Sequence, residues 1–295
     1  MRRVVLSIAG VILLLLFNYL FIRSHEFSVR FKAKTTSGDL IETVRFWNRS
    51  LKDAEIVQVD SFYRIEQRVS RNGNNYKFIW DLKETGDSTI NVRIKISEPG
   101  NGLRNKVLVP ITQQPIETDS EELVRQFYEA LQEHLEITRV KILGEAETGD
   151  LSCVCKEVKT DQIAKGNGMM REFPLLSSFI ADFHLEVKGP PLVRINAWDH
   201  SAGTITFDFC FPVVPETEMP DTDMFEYKII PGQKALRAEY FGNYFTSDRA
   251  WYLLINYAKS NGYDVENLPV EYFHNNPNLG TNEREWRAEI FLPIK

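Results

Sequence analysis

The C-terminal half of the chain repeats itself. Residues 179–194, FIADFHLEVKGPPLVR, align with 257–272, YAKSNGYDVENLPVEY, so that Val187 falls on Val265 and Pro191 on Pro269 at a constant offset. Each copy then closes on a matching run, Asp208-Phe209-Cys210-Phe211-Pro212-Val213 beside Glu289-Ile290-Phe291-Leu292-Pro293-Ile294. Such a repeat constrains the fold more than any motif, because one copy cannot bury its own apolar side. Each copy reads as strand, helix, strand, strand, with helices expected around Arg171–Phe183 and Asp248–Ser260. In the second helix Trp251, Leu254, Ile255 and Ala258 recur at helical spacing and present one apolar face. Pairing of the copies is expected to make one sheet assembly with a concave groove along a pseudo-dyad.

The second copy carries an ordered series of fragments: Phe241-Gly242-Asn243-Tyr244, Ala250-Trp251, Leu254, Asn261-Gly262-Tyr263, Pro269-Val270-Glu271-Tyr272, Asn276-Pro277 and Ala288-Glu289-Ile290-Phe291-Leu292-Pro293. With these, residues 151–295 resemble the GyrI-like family, found as effector-binding domains of AraC-type and multidrug-responsive regulators and as stand-alone proteins. Gly-Asn-Tyr stands where that family usually has Gly-Pro-Tyr, and Tyr257 where a helix tryptophan is common. The resemblance implies that Glu271 is the acid of a ligand groove, contacting cationic or polar ligand atoms. Its repeat counterpart is Val193, so the acid is present on one side only. Tyr244, Trp251, Phe209 and Trp286 are the candidate aromatic walls, because a desolvated carboxylate and ring faces together attract organic cations. Helical spacing also suits Trp251 as a packing residue, whereas Tyr244 follows a glycine at a strand end.

Ahead of the repeat, Glu26–Lys34 alternates apolar and polar residues as a half-buried strand does, and apolar positions 40, 41, 44 and 47 mark a short helix. Strands are expected over 61–69, 75–80 and 89–96, with the turn formers Asn72-Gly73 between the first two. Thr118–Glu121 offers capping residues for an amphipathic helix of Leu123, Phe127, Ala130, Leu131 and Leu135. Strand, helix, meander and long helix in this order resemble the START-like, polyketide-cyclase-like (SRPBCC) helix-grip fold. That fold implies a cavity between sheet and long helix, but packing of Phe127, Leu131 and Leu135 into the core is favoured over a working cavity, because pockets are few per protein. The polar stretch Gly144–Asp150 reads as a linker.

Val4–Ile22 is an uncharged apolar run behind Met1-Arg2-Arg3. Its helical length nearly matches a hydrocarbon core of about 30 Å. An uncleaved membrane anchor is favoured over a cleaved signal peptide, since the run ends in Tyr19, Phe21 and Arg23 without a small-x-small site. The charged flanks disagree on orientation, and export logic puts the globular part outside the cytoplasmic membrane. The expected class is therefore α+β: a transmembrane helix at 4–22, a helix-grip antiparallel domain at 26–143, and a pseudo-symmetric duplicated strand-helix-strand-strand domain at 151–295.

A formal net charge of −6 argues against capture of nucleic acid, which needs clustered cations. Three cysteines, Cys153, Cys155 and Cys210, cannot all pair, and reduced thiols are expected. Cys153-x-Cys155 has no second pair at zinc-site spacing, so no metal is expected. Lys165-Gly166-Asn167-Gly168 has the wrong spacing for a phosphate loop, and no cofactor is implied. Trp198-Asp199-His200 before Ser201-Ala202-Gly203 reads as a turn. The leading expectation is a membrane-anchored module that senses or sequesters an amphipathic or cationic small molecule. Alternatives are a hydrolase of small electrophiles using Glu271 as general base with Tyr244 in support, and an inhibitor of a protein partner.

Overall fold

The structure is a computed structural model describing residues 2–60, 62–86, 88–280 and 282–295, with residues 2–6 described in the backbone alone. Met1 of the positive N-terminal flank and Ser61, first residue of an expected strand, lie outside the described residues. The chain is α+β and divides into two compact units. One unit comprises the residues through Lys34 with 43–85 and 89–131, and the other comprises 35–42, 86–88 and 132–295.

The first unit is built on five antiparallel strands, β1 (Phe27–Ala33), β2 (Ala54–Asp60), β3 (Arg64–Arg71), β4 (Asn74–Glu84) and β5 (Ile90–Ser97), in the order β1-β5-β4-β3-β2. Asn72 and Gly73 turn β3 into β4 with φ of 51° and 81°, the left-handed pair that a two-residue hairpin needs. Helices α1 (Arg2–Phe17), α2 (Ser37–Ser50), α3 (Gly102–Leu108) and α4 (Pro115–Ile137) complete the N-terminal half, α2 and α4 each sharing one end with the second unit. Helix α4 begins three residues before the expected cap. Pro115 suits a first turn because its φ is preset, and the Glu117 carboxylate accepts from the Gln114 amide at 2.9 Å. Between helix and sheet Phe127 is buried, its ring 4.8 Å from Trp80 and 5.5 Å from Trp47. Edge-on aromatic packing thus joins this helix to the sheet.

The expected transmembrane helix requires correction, and with it the membrane partner and the placement of the globular part outside the cytoplasmic membrane. Among the described residues no helix is long and apolar enough to cross a membrane. Helix α1 has 16 residues, about 24 Å at 1.5 Å per residue, and the chain then widens into a π-helical segment, Asn18–Ile22. That segment is tied to its own unit: Tyr19 donates to the Lys106 carbonyl at 3.1 Å, and the Lys106 ammonium donates to the carbonyls of Leu20 and Arg23.

The second unit holds eight strands, β6 (Arg139–Glu147), β7 (Leu151–Asp161), β8 (Leu192–Asp199), β9 (Thr204–Pro212), β10 (Glu226–Ile230), β11 (Lys234–Phe241), β12 (Val270–Phe273) and β13 (Arg287–Pro293), with α5 (Lys165–Asp182) and α6 (Arg249–Asn261). Their order, β10-β7-β9-β8-β12-β13-β11-β6, is the expected duplication. From either end the same sequence of roles is met, and the copies join at antiparallel β8 and β12. The stretch expected as a linker is mostly strand: β6 runs to Glu147 and pairs with β11, Gly144 sitting at the register shift with φ of 89°. Only 148–150 connect β6 to β7, six strand spacings away in the order. Six spacings span about 29 Å and three linking residues reach about 15 Å, so the sheet cannot be flat. Its ends curl together, and the Thr148 amide donates to the Gln233 carbonyl of the β10–β11 connection at 3.0 Å.

One apolar core joins α5 and α6 to this sheet. A second, smaller cluster contains all three cysteines. Reduced thiols were expected, but Cys155 and Cys210 form a disulfide. They are register partners on β7 and β9, with Cα atoms 4.1 Å apart, a proximity that spacing along the chain does not encode. Cys153 remains free and buried, and burial pushes its thiol up to about 12.

Candidate functional site

Glu271 lies on the pseudo-dyad. In the β8–β12 pairing its register partner is Val193, the residue that the repeat makes its equivalent. Its side chain is 0% exposed and its carboxylate has three donors: Lys165 Nζ to Oε2 at 2.6 Å, Trp251 Nε1 to Oε1 at 2.7 Å, and Ser247 Oγ to Oε1 at 2.9 Å. The Lys165 ammonium, also 0% exposed, donates to Ser247 Oγ at 2.7 Å and stands 4.6 Å from the centroid of the Trp251 ring. A carboxylate this deeply buried requires charge pairing and hydrogen bonds, and it has both.

Lys165 is the first residue of α5 and reaches β12 because the helix start packs closely. A Cβ at Gly166 would stand 2.7 Å from the Phe245 ring, and one at Gly168 3.0 Å from Val158. The two glycines of Lys165-Gly166-Asn167-Gly168 therefore bring the helix end to the dyad. Trp251 comes from the first turn of α6 and Ser247 from the turn before it. Asn243 caps that turn by accepting from the Phe245 amide at 3.0 Å.

Continuing the repeat offset, Ser247, Trp251 and Glu271 correspond to Met169, Phe173 and Val193. One copy thus supplies polar groups where the other supplies apolar ones. On the apolar side lies a cavity of about 30 Å³, lined by Met169, Met170, Phe173, Pro191, Phe209 and Tyr244 with Phe273, Asn275, Pro277 and Asn278. Tyr244 donates to the Arg287 carbonyl at 2.9 Å and accepts from the Asn275 amide at 2.9 Å, and burial pushes its phenol up to about 12. Its ring packs 4.8 Å from Phe273 and 5.4 Å from Trp286.

The expected site residues are therefore sorted into two adjoining groups. Phe209 and Tyr244 line the cavity and Trp286 stands behind Tyr244, while Glu271 and Trp251 belong to the polar cluster. The partners Lys165, Ser247, Gln162 and Asp248 had not been singled out as site residues. Gln162 donates to Asp248 Oδ2 at 2.6 Å and to the Tyr252 hydroxyl at 2.8 Å, and accepts from Trp198 Nε1 at 2.7 Å. Burial raises the Asp248 carboxyl to about 6 against the pull of the Lys165 charge. Trp198-Asp199-His200 does turn the chain, the Asp199 carboxylate accepting from the amides of Ser201 and Ala202. Among the described residues no group of three or more His, Cys, Asp or Glu is placed to hold a metal.

Residues 177–295 match the GyrI-like small molecule binding domain. Among solved structures the chain is similar to the C-terminal domain of EcmrR, at 15% identity and a TM-score of 0.45 over 54% of this chain and 98% of that one. It is similar to SAV2435 bound to tetraphenylphosphonium, at 12% identity and 0.38 over 52% and 94%. It is also similar to the di-domain ARO/CYC StfQ of the steffimycin biosynthetic pathway, at 11% identity and 0.27 over 91% and 85%. No curated protein matches the chain.

Proposed function

From the premise of a GyrI-like small-molecule-binding domain at residues 177–295, we propose that the chain binds an organic small molecule with an apolar body at the pseudo-dyad. The ligand enters beside Phe209 and Tyr244, with Trp286 buttressing Tyr244 and with Trp251 and Glu271 at the polar end. The observation that carries this reading is the sorting of the repeat, with Met169, Phe173 and Val193 standing opposite Ser247, Trp251 and Glu271 and with a cavity lined by Met169 and Phe173. A cavity of about 30 Å³ holds roughly one water, whereas organic ligands occupy about 300–1,000 Å³. Binding therefore opens the site. Met169 and Met170 are suited to this, since an unbranched thioether side chain repacks at low cost.

A general-base role for Glu271 gains no support from the geometry. Its carboxylate is fully buried, bonded to three donors, and absent from the lining of the cavity. The binding reading is tested on the full chain by thermal shift against a panel of neutral and charged aromatic compounds. Met170 is 43% exposed at the cavity edge, so Met170→Trp should obstruct the entrance while leaving the unliganded melting temperature nearly unchanged. Compounds that stabilise the wild type should cease to stabilise this variant. Undiminished stabilisation would move the ligand site elsewhere.

A further inference from the structure

A carboxylate, an indole face and a hydroxyl converging in a water-free space are the groups that recognise an organic ammonium. Here an ammonium is already among them, and it belongs to the chain. Lys165 Nζ stands 2.6 Å from Glu271 Oε2, 2.7 Å from Ser247 Oγ and 4.6 Å from the Trp251 centroid. We propose that Lys165 is the built-in occupant of the cation pocket at Glu271 and Trp251, and that it thereby restricts the domain to uncharged ligands.

Lys165 and Met169, which lines the cavity, are one helical turn apart on α5, so their side chains leave the same face of the helix. Ser247 links the two groups as well, since its hydroxyl reaches the carbonyl of cavity-lining Tyr244 at 3.0 Å. A ligand filling the cavity therefore lies beside an ion pair whose charges are already balanced. Placing a second cation there would set like charges together in a desolvated space. Displacing Lys165 is disfavoured too, because an occupant tethered to α5 competes at a high effective concentration. That tether is short: Gly166 packs under Phe245 with no room for a Cβ, which holds the helix start against the site. An uncharged ligand meets none of these obstacles.

The ligand-charge part of this inference rests on the binding site proposed above, whereas the occupancy of the cation pocket does not, and two arms of one experiment keep them apart. In the first, Lys165→Ala removes three methylenes and the ammonium, the atoms of n-propylammonium. Added n-propylammonium should raise the melting temperature of K165A in a saturable way, by about 5 °C. The neutral 1-propanol should not, and the wild type should respond to neither. If K165A does not remain folded unaided, its refolding yield from urea with each additive is read instead. No recovery by n-propylammonium, or equal recovery by 1-propanol, overturns the occupancy.

In the second arm, phenylpropanol and phenylpropylammonium are compared as probes. The wild type should bind the alcohol at least about tenfold more tightly, and K165A should reverse that order. A wild type that prefers the ammonium overturns the charge restriction. A wild type that binds neither probe, together with successful rescue in the first arm, overturns the cavity reading and leaves the role of Lys165 standing.

Discussion

Glu271 and Lys165 are the two charges whose removal should reveal most about this domain, singly and together. Glu271→Gln leaves a fully buried ammonium facing an amide, since Lys165 and Glu271 are each 0% exposed. Removing one partner of such a pair costs about 3–5 kcal/mol, mostly the desolvation of the charge that remains. Lys165→Met carries the same cost from the other side, because it leaves the carboxylate buried without its counter-charge. The double variant differs from both. A glutamine oxygen still accepts from Trp251 Nε1 and Ser247 Oγ, the bonds now measured at 2.7 and 2.9 Å, and a thioether stem fills the lysine's space. The lysine's bonds to Ser247 and to the second carboxylate oxygen are both lost and the glutamine NH2 is left facing the thioether, a cost of about 1–3 kcal/mol that is offset by the relief of two buried charges. Uncharged replacements of similar volume often leave stability unchanged or raised, so the double variant should lie within about 2 kcal/mol of wild type.

The coupling energy is then at least ~3 kcal/mol, well beyond what exposed pairs deliver. Urea titration of the full chain, followed by tryptophan fluorescence and far-ultraviolet circular dichroism, reads it as shifts of the transition midpoint. Single variants costing under ~1 kcal/mol each, or costs that simply add in the double variant, would refute the reasoning. Either result would mean that water reaches the pair.

Asp248 offers a test of the neighbouring network. Burial raises its folded value to about 6, above an unfolded value near 3.9. The folded protein then holds this proton more tightly, so the group's stabilisation is present at low pH and is lost as pH rises through about 6, by up to ~3 kcal/mol. The stability gap between wild type and Asp248→Asn should narrow or invert accordingly between about pH 4 and about pH 6, and a gap independent of pH would contradict the assignment. The Cys155–Cys210 disulfide spans a sequence separation of 55. Loop entropy makes it worth about 4 kcal/mol, so reductant should lower the denaturation midpoint of the wild type but leave that of the Cys155→Ala, Cys210→Ala double variant unmoved. Gly166→Ala gains up to ~1 kcal/mol of helix propensity but sets a Cβ 2.7 Å from the Phe245 ring. Overpacking at about 1–3 kcal/mol should win, and a more stable variant would show that α5 starts with room to spare.

How far the sequence discloses this fold depends on the range over which each signal acts. The duplication is a pattern along the chain, so the mirrored strand order and the facing of Glu271 and Val193 follow from aligning 179–194 with 257–272. Asn72-Gly73 is likewise local, and its hairpin stands where expected. The failures are cases where a distant segment decides the outcome. Gly144–Glu147 is polar enough for a linker, yet its amides find β11 some ninety residues on. Val4–Ile22 has the composition of a spanning helix, but it divides at Asn18, and its second part is held by Lys106. Cys155 meets Cys210 only through strand register.

The same cause explains why Glu271 stood out while Lys165 did not. Comparing copies isolates a residue that departs from the symmetry, and an acid facing a valine is such a departure. The comparison does not reveal where the compensating charge comes from, because Lys165 belongs to the first copy and Glu271 to the second. Their contact exists only after β8 and β12 have joined. The one local hint was a lysine followed by Gly166 and Gly168 at a helix start, glycines having poor helix propensity so that their presence there requires a reason. That reason is close approach. An acid isolated by symmetry therefore indicates a need for positive charge, and in this chain the partner copy meets that need before any ligand arrives.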